Sequence, residues 1–165
     1  MPDKSSLVVR AGKYTIGWIL LAAFFGSQSL LVYPSPAPPN APPQLAYFAA
    51  SFSDWITWAF LTPFIIPIAR RFPLGREHWG RTVAIHVCAA LVFAVLKLTI
   101  RWGIGQLLPA IPTADQLSRI LTAQLHLSVA TYFVIAGTVM AGDYYRRFRE
   151  RELRATQLEA RLAVA

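Results

Sequence analysis

One cysteine, Cys88, stands among 165 residues, so no disulfide can form within the chain. Pairs of Cys and His at zinc spacing are missing too, and with them a structural metal site. Charge is scarce: 15% of residues are Asp, Glu, Lys or Arg, against 55% hydrophobic, with a mean hydropathy of +0.44. That balance excludes an ordinary soluble domain. Acidic groups are scarcest, eight against sixteen Lys and Arg, for a formal charge of +8. On a soluble fold such a surplus would suggest nucleic-acid binding. Here the basic residues cluster between long apolar runs, so the expected partner is a lipid bilayer and not nucleic acid.

Crossing about 30 Å of hydrocarbon takes roughly twenty apolar residues. Four stretches qualify: Tyr14 to Tyr33, about Tyr47 to Ala69, about Thr82 to Gly105, and about Ile120 to Gly142. Each is predicted to be a helix, because an open strand edge has no partner in lipid. The basic start, with Lys4, Arg10 and Lys13, resembles a signal-peptide leader. The apolar run behind it is longer than such a peptide needs and offers no small-residue cleavage site, so it reads as an anchor.

The connections give an orientation. Pro34 to Pro43 holds six of the twelve prolines and no charge, which predicts an extended surface loop. Between spans two and three lie Arg70, Arg71, Arg76 and Arg81, and six arginines follow Gly142. With the leader, thirteen of the sixteen basic residues fall on one side, leaving Lys97, Arg101 and Arg119 for the other. The positive-inside rule places the thirteen, and both termini, in the cytoplasm. Trp18, Tyr47, Trp79 and Trp102 fall near the expected interfaces.

From Asp143 the chain turns to Arg, Glu, Ala and Leu with no Gly or Pro, so span four should continue unbroken as a cytoplasmic helix. Tyr144, Phe148, Ala155, Leu158, Leu162 and Ala165 recur at four- and three-residue steps, with Arg151 the one polar occupant. This is a short coiled-coil seam and predicts a homodimer. A charged amphipathic helix lying on headgroups is the plainer alternative. The seam still runs at Ala165, which suggests that a further region follows. The predicted fold class is an all-α membrane protein: a basic leader over 1–13, a four-helix membrane domain over 14–142, and a linker over 143–165.

Polar groups inside a span are costly and mark candidate sites. At 1.5 Å rise per residue from the cytoplasmic ends, Gln28 lies about 21 Å up, Asp54 and Lys97 about 22 Å, and His126 about 24 Å. One polar side chain per helix thus reaches a common height, a candidate layer for signal sensing. Asp54 and Lys97 are candidates for an ion pair. Alternatively Lys97 snorkels outward beside Arg101, and Asp54 bonds Ser51, Ser53 or water. His86 lies only about 6 Å from the cytoplasmic end, too far from His126 to share a haem iron, and reads as a packed residue. Pro63 and Pro67 should kink span two and free a backbone carbonyl. Gly17, Gly26, Gly137 and Gly142 permit close helix contact but form no Gly-x-x-x-Gly pair, so they name no dimer face.

Residues 56–98, with "ITWAFLTP", "RRFPL" and His86 in an apolar helix, resemble the second and third membrane helices of LytS/YehU-like sensor histidine kinases. Residues 140–165 are similar to the linker that in this family precedes the phosphoacceptor region. The resemblance implies the membrane input and dimerisation module of a bacterial two-component kinase, in the inner membrane. It implies a homodimer and, through a following kinase region, a response regulator as partner. The phosphoacceptor histidine box and the nucleotide-binding loop lie outside these 165 residues, so no catalytic residue, metal or cofactor is assigned here. ATP and magnesium would belong to the kinase region alone. A small transporter or channel subunit, or a simple anchor, is the alternative from another class.

Overall fold

The computed structural model describes residues 4–32, 43–74, 79–107 and 117–164. They form four helices, α1 (Lys4–Val32), α2 (Gln44–Arg71), α3 (Trp79–Leu107) and α4 (Leu117–Val164), with no strand among the described residues. Each contains a segment long and apolar enough to cross a membrane. Each also outruns the apolar stretch that defines it in the sequence, because backbone pairing continues where hydrocarbon stops. At the start, α1 already begins at Lys4, within the basic leader. The Pro34–Pro43 loop apart from Pro43, residues 75–78 with Arg76, and residues 108–116 lie outside the described residues, as do the side chains of Leu158 and Leu162.

Consecutive helices pack antiparallel. Tyr14 and Phe25 of α1 meet Ala59 and Trp55 of α2; Asp54 of α2 meets Lys97 of α3; His86 of α3 meets Tyr132 of α4. α2 and α4 therefore run parallel, and Arg70 reaches Asp143 at one end. Among the described residues α2 is central, touching all three other helices, whereas α1 packs on α2 alone.

The helices meet along four-residue steps. On α3 the buried stripe is Thr82, His86, Ala90, Ala94 and Leu98; on α4 it is Ser128, Tyr132 and Ala136; on α2 it includes Trp58, Leu61, Ile65 and Ala69. Alanines at the contact let backbones approach closely, as small residues do between helices in lipid. Close contact thus rests on Ala90-x-x-x-Ala94 more than on glycine. Gly26 alone among the four candidate glycines is crowded, with a Cβ built there falling 2.9 Å from Phe48, while Gly17, Gly137 and Gly142 face open space. Many other large apolar side chains point outward: Phe60, Phe64, Val92, Leu127 and Val134 are all exposed. Such an apolar exterior suits hydrocarbon and not water.

α2 remains one helix through Pro63 and Pro67, both of which face outward. Pro63 has no N–H for the carbonyl four residues earlier, that of Ala59. The Tyr14 hydroxyl of α1 donates to that carbonyl instead. Above this bond Phe25 stacks on Trp55, centroids 4.1 Å apart and planes at 15°, and the Ser51 hydroxyl donates to the Phe25 carbonyl at 3.2 Å.

Candidate functional site

Lys97 and Arg101 stand one turn apart on α3 and face Asp54 of α2. Lys97 Nζ lies 2.5 Å from Asp54 Oδ1 and its side chain is only 3% exposed. Arg101 Nη1 lies 3.4 Å from the same oxygen and donates to the Ala50 carbonyl at 3.0 Å. Lys97 thus points inward to the acid and does not snorkel. Ser51 donates to the Phe25 carbonyl and Ser53 to that of Ala50, so neither hydroxyl donates to Asp54.

These three charged groups line a cavity of about 420 Å³. Gln124, Ser128 and Thr131 of α4 complete its polar wall, and Trp58 and the stacked Phe25–Trp55 pair supply the apolar one. Two cations share one carboxylate, leaving one positive charge in surplus. Removing charges from water is costly, and mutual attraction offsets this only with close geometry and extra hydrogen bonds. The arrangement can therefore do two things. It ties α2 to α3, and it favours a negative or hydrogen-bond-accepting group in the cavity.

Two members of the expected polar layer are elsewhere. Gln28 and His126 are both exposed and neither lines the cavity. Height along the membrane normal is not enough, since each residue also turns the helix by about 100°. Gln28 lies two positions past Gly26, the buried contact of α1, and His126 two past Gln124, so each faces the opposite side. Arg101 is the residue that the sequence reading left out of the layer. Its spacing of four from Lys97 was the available signal.

A second polar group lies toward the Arg70 end. His86 is buried, with Nδ1 3.0 Å from the Tyr132 hydroxyl and Nε2 3.0 Å from the Phe72 carbonyl. A carbonyl only accepts, so Nε2 carries the proton, and in the neutral ring Nδ1 accepts from Tyr132. One imidazole thus joins α3, α4 and the residue that caps α2. Both its nitrogens are engaged, which leaves neither for a haem iron. No group of three or more His, Cys, Asp or Glu among the described residues is placed to hold a metal ion.

Asp143, where α4 leaves the apolar core, accepts from Arg70 at 3.0 Å and from Arg146. Beyond it, Tyr144 and Phe148 of the seam are 74% and 54% exposed, and Ala155 is exposed as well. Nothing else in the described chain covers this face. Trp102, expected near an interface, buries Nε1 with no hydrogen-bond partner among the described residues.

No family model, no curated protein and no solved structure matches this chain.

Proposed function

We propose that this chain is the membrane-embedded input and dimerisation module of a bacterial two-component sensor histidine kinase, placed in the inner membrane with both ends in the cytoplasm. The observation that carries the reading is the continuity of α4. This one helix spans 48 residues, about 72 Å at 1.5 Å per residue, where about twenty residues suffice to cross the bilayer. Near its start it lines the charged cavity with Gln124 and Ser128, and its last two dozen residues carry the exposed Tyr144, Phe148 and Ala155 of the seam. α4 is unbroken over Leu117–Val164, which gives a change of packing around Asp54, Lys97 and Arg101 a continuous route to the tail. The likeness of residues 56–98 and 140–165 to LytS/YehU-like kinases supports the same reading, with ATP and a response regulator engaged by a kinase region beyond these residues. The signal acts as a bias between two packings of the helices.

The test replaces the membrane region of a reporter-coupled histidine kinase with this chain, keeping the heptad register across the junction. Asp54→Asn and Lys97→Met are expected to shift reporter output at equal protein level. Unchanged output would reduce the chain to an anchor. Ion flux into vesicles holding the purified chain would favour the transport reading, in which the cavity lines a pathway.

A further inference from the structure

We propose that the groove between the C-terminal end of α2 and α4 binds a phospholipid with a net negative headgroup, taken from the surrounding leaflet. The groove encloses about 360 Å³, within the usual range of small-molecule sites, about 300–1,000 Å³. Its floor is apolar, from Ala69, Gly137 and Met140, and its rim carries Arg70, Leu74, Tyr144 and Arg147. Gly137 and Arg147 are ten residues apart on α4, about 15 Å along the axis. The apolar floor therefore lies on the hydrocarbon side and the guanidiniums at headgroup height, which is how a phospholipid is itself arranged.

Charge favours an anionic headgroup. A second hollow adjoins the first and shares Arg70, Asp143 and Arg147, adding Arg146 and Glu150. The rim thus holds three guanidiniums against two carboxylates. Asp143 lies within the site but is engaged by both Arg70 and Arg146, which hold its charge away from an incoming phosphate. Arg147 makes no ion pair among the described residues, and Arg70 is bound to Asp143 through Nε, which leaves its two Nη groups for a ligand. A phosphodiester between Arg147 and Arg70 would complete the rim, with an acyl chain on the floor. Basic pockets between membrane helices recognise acidic headgroups in this way, and the groove opens at the end of the bundle where most of the basic residues lie.

The experiment follows thermal unfolding of the full chain in neutral detergent with added phosphatidylglycerol, phosphatidylcholine or inorganic phosphate. Phosphatidylglycerol is expected to raise the midpoint in proportion to its concentration, while the other two leave it unchanged. Arg147→Gln should weaken the apparent affinity about tenfold, as loss of one charge-assisted contact does. Gly137→Leu, at a position where an added Cβ meets nothing within 4 Å, should fill the floor and weaken binding without loss of fold. Arg154→Gln, farther along the tail, should keep the full shift. An equal response to phosphatidylcholine would overturn the proposal in favour of general lipid solvation. A full response to inorganic phosphate would reduce the groove to a free-anion site, and an Arg147→Gln variant that binds as before would place the lipid elsewhere.

Discussion

The hydroxyl of Tyr14 donates to the carbonyl of Ala59, the acceptor that Pro63 deprives of its helical partner. A defect in α2 has thereby become one attachment point of α1, the helix that among the described residues touches only α2. Tyr14→Phe should leave that carbonyl unpaired in a low-dielectric setting, at a cost of about 1–3 kcal/mol. In a Pro63→Ala background the restored amide takes the carbonyl, and Tyr14→Phe should then cost little. A double-mutant cycle by thermal unfolding in detergent measures the coupling. Equal losses in both backgrounds would show that the hydroxyl does not serve this carbonyl.

Asp54 balances Lys97 and, more distantly, Arg101. Asp54→Asn should leave the buried Lys97 and the half-buried Arg101 uncompensated and cost about 3–5 kcal/mol, the usual result of breaking a buried pair. Lys97→Met should cost less than Asp54→Asn, because Arg101 remains beside the acid at 3.4 Å. Combining the two substitutions should recover part of the loss. Strictly additive unfolding midpoints would mean that Asp54 and Lys97 do not interact.

At His86 the bonding pattern assigns the proton to Nε2. Nitrogen NMR of the labelled protein is expected to show, for the neutral ring, a protonated Nε2 and a hydrogen-bonded Nδ1 without a proton. Tyr132→Phe should remove the donor to Nδ1 and lower stability by about 1–3 kcal/mol. An Nε2 found without a proton would contradict the bond to the Phe72 carbonyl.

Topology follows from the thirteen-to-three division of basic residues. Reporter fusions after Pro39, Gly75, Thr113 and Ala165 should read outside, inside, outside, inside. A cytoplasmic signal after Pro39 would reverse the orientation of the first span.

Helix number and approximate bounds were legible because hydropathy over twenty residues is a strong signal and lipid permits few alternatives. The facing of Asp54 and Lys97 was half legible: counting rise placed them at one height. The same count placed Gln28 and His126 there, although both turn outward, because height carries no information about direction around the axis. The burial phase of α4, set by Ser128, Tyr132 and Ala136, separates Gln124 from His126, and it emerges only once the neighbouring helices are in place. Tyr14 escaped notice for a different reason. Its partner is a backbone carbonyl, which no residue type advertises, although Pro63 marked the carbonyl that would need one.

The order in which the chain is made gives the Asp54–Lys97–Arg101 cluster a further consequence. α3, which carries both cations, is the most apolar of the four spans, with a mean hydropathy of 2.3 against 1.3 for α2. Each Lys or Arg at the centre of a span costs about 2.5–3.5 kcal/mol to insert. Synthesis runs from α2 to α3, so the carboxylate enters the membrane before the two cations that it will hold. α3 therefore meets its counter-charge on arrival, and its surplus of apolar residues carries the charges in until the ion pair forms. Moving Asp54 to a span made after α3 would leave the same three side chains in the finished protein and remove the waiting acid from its biogenesis.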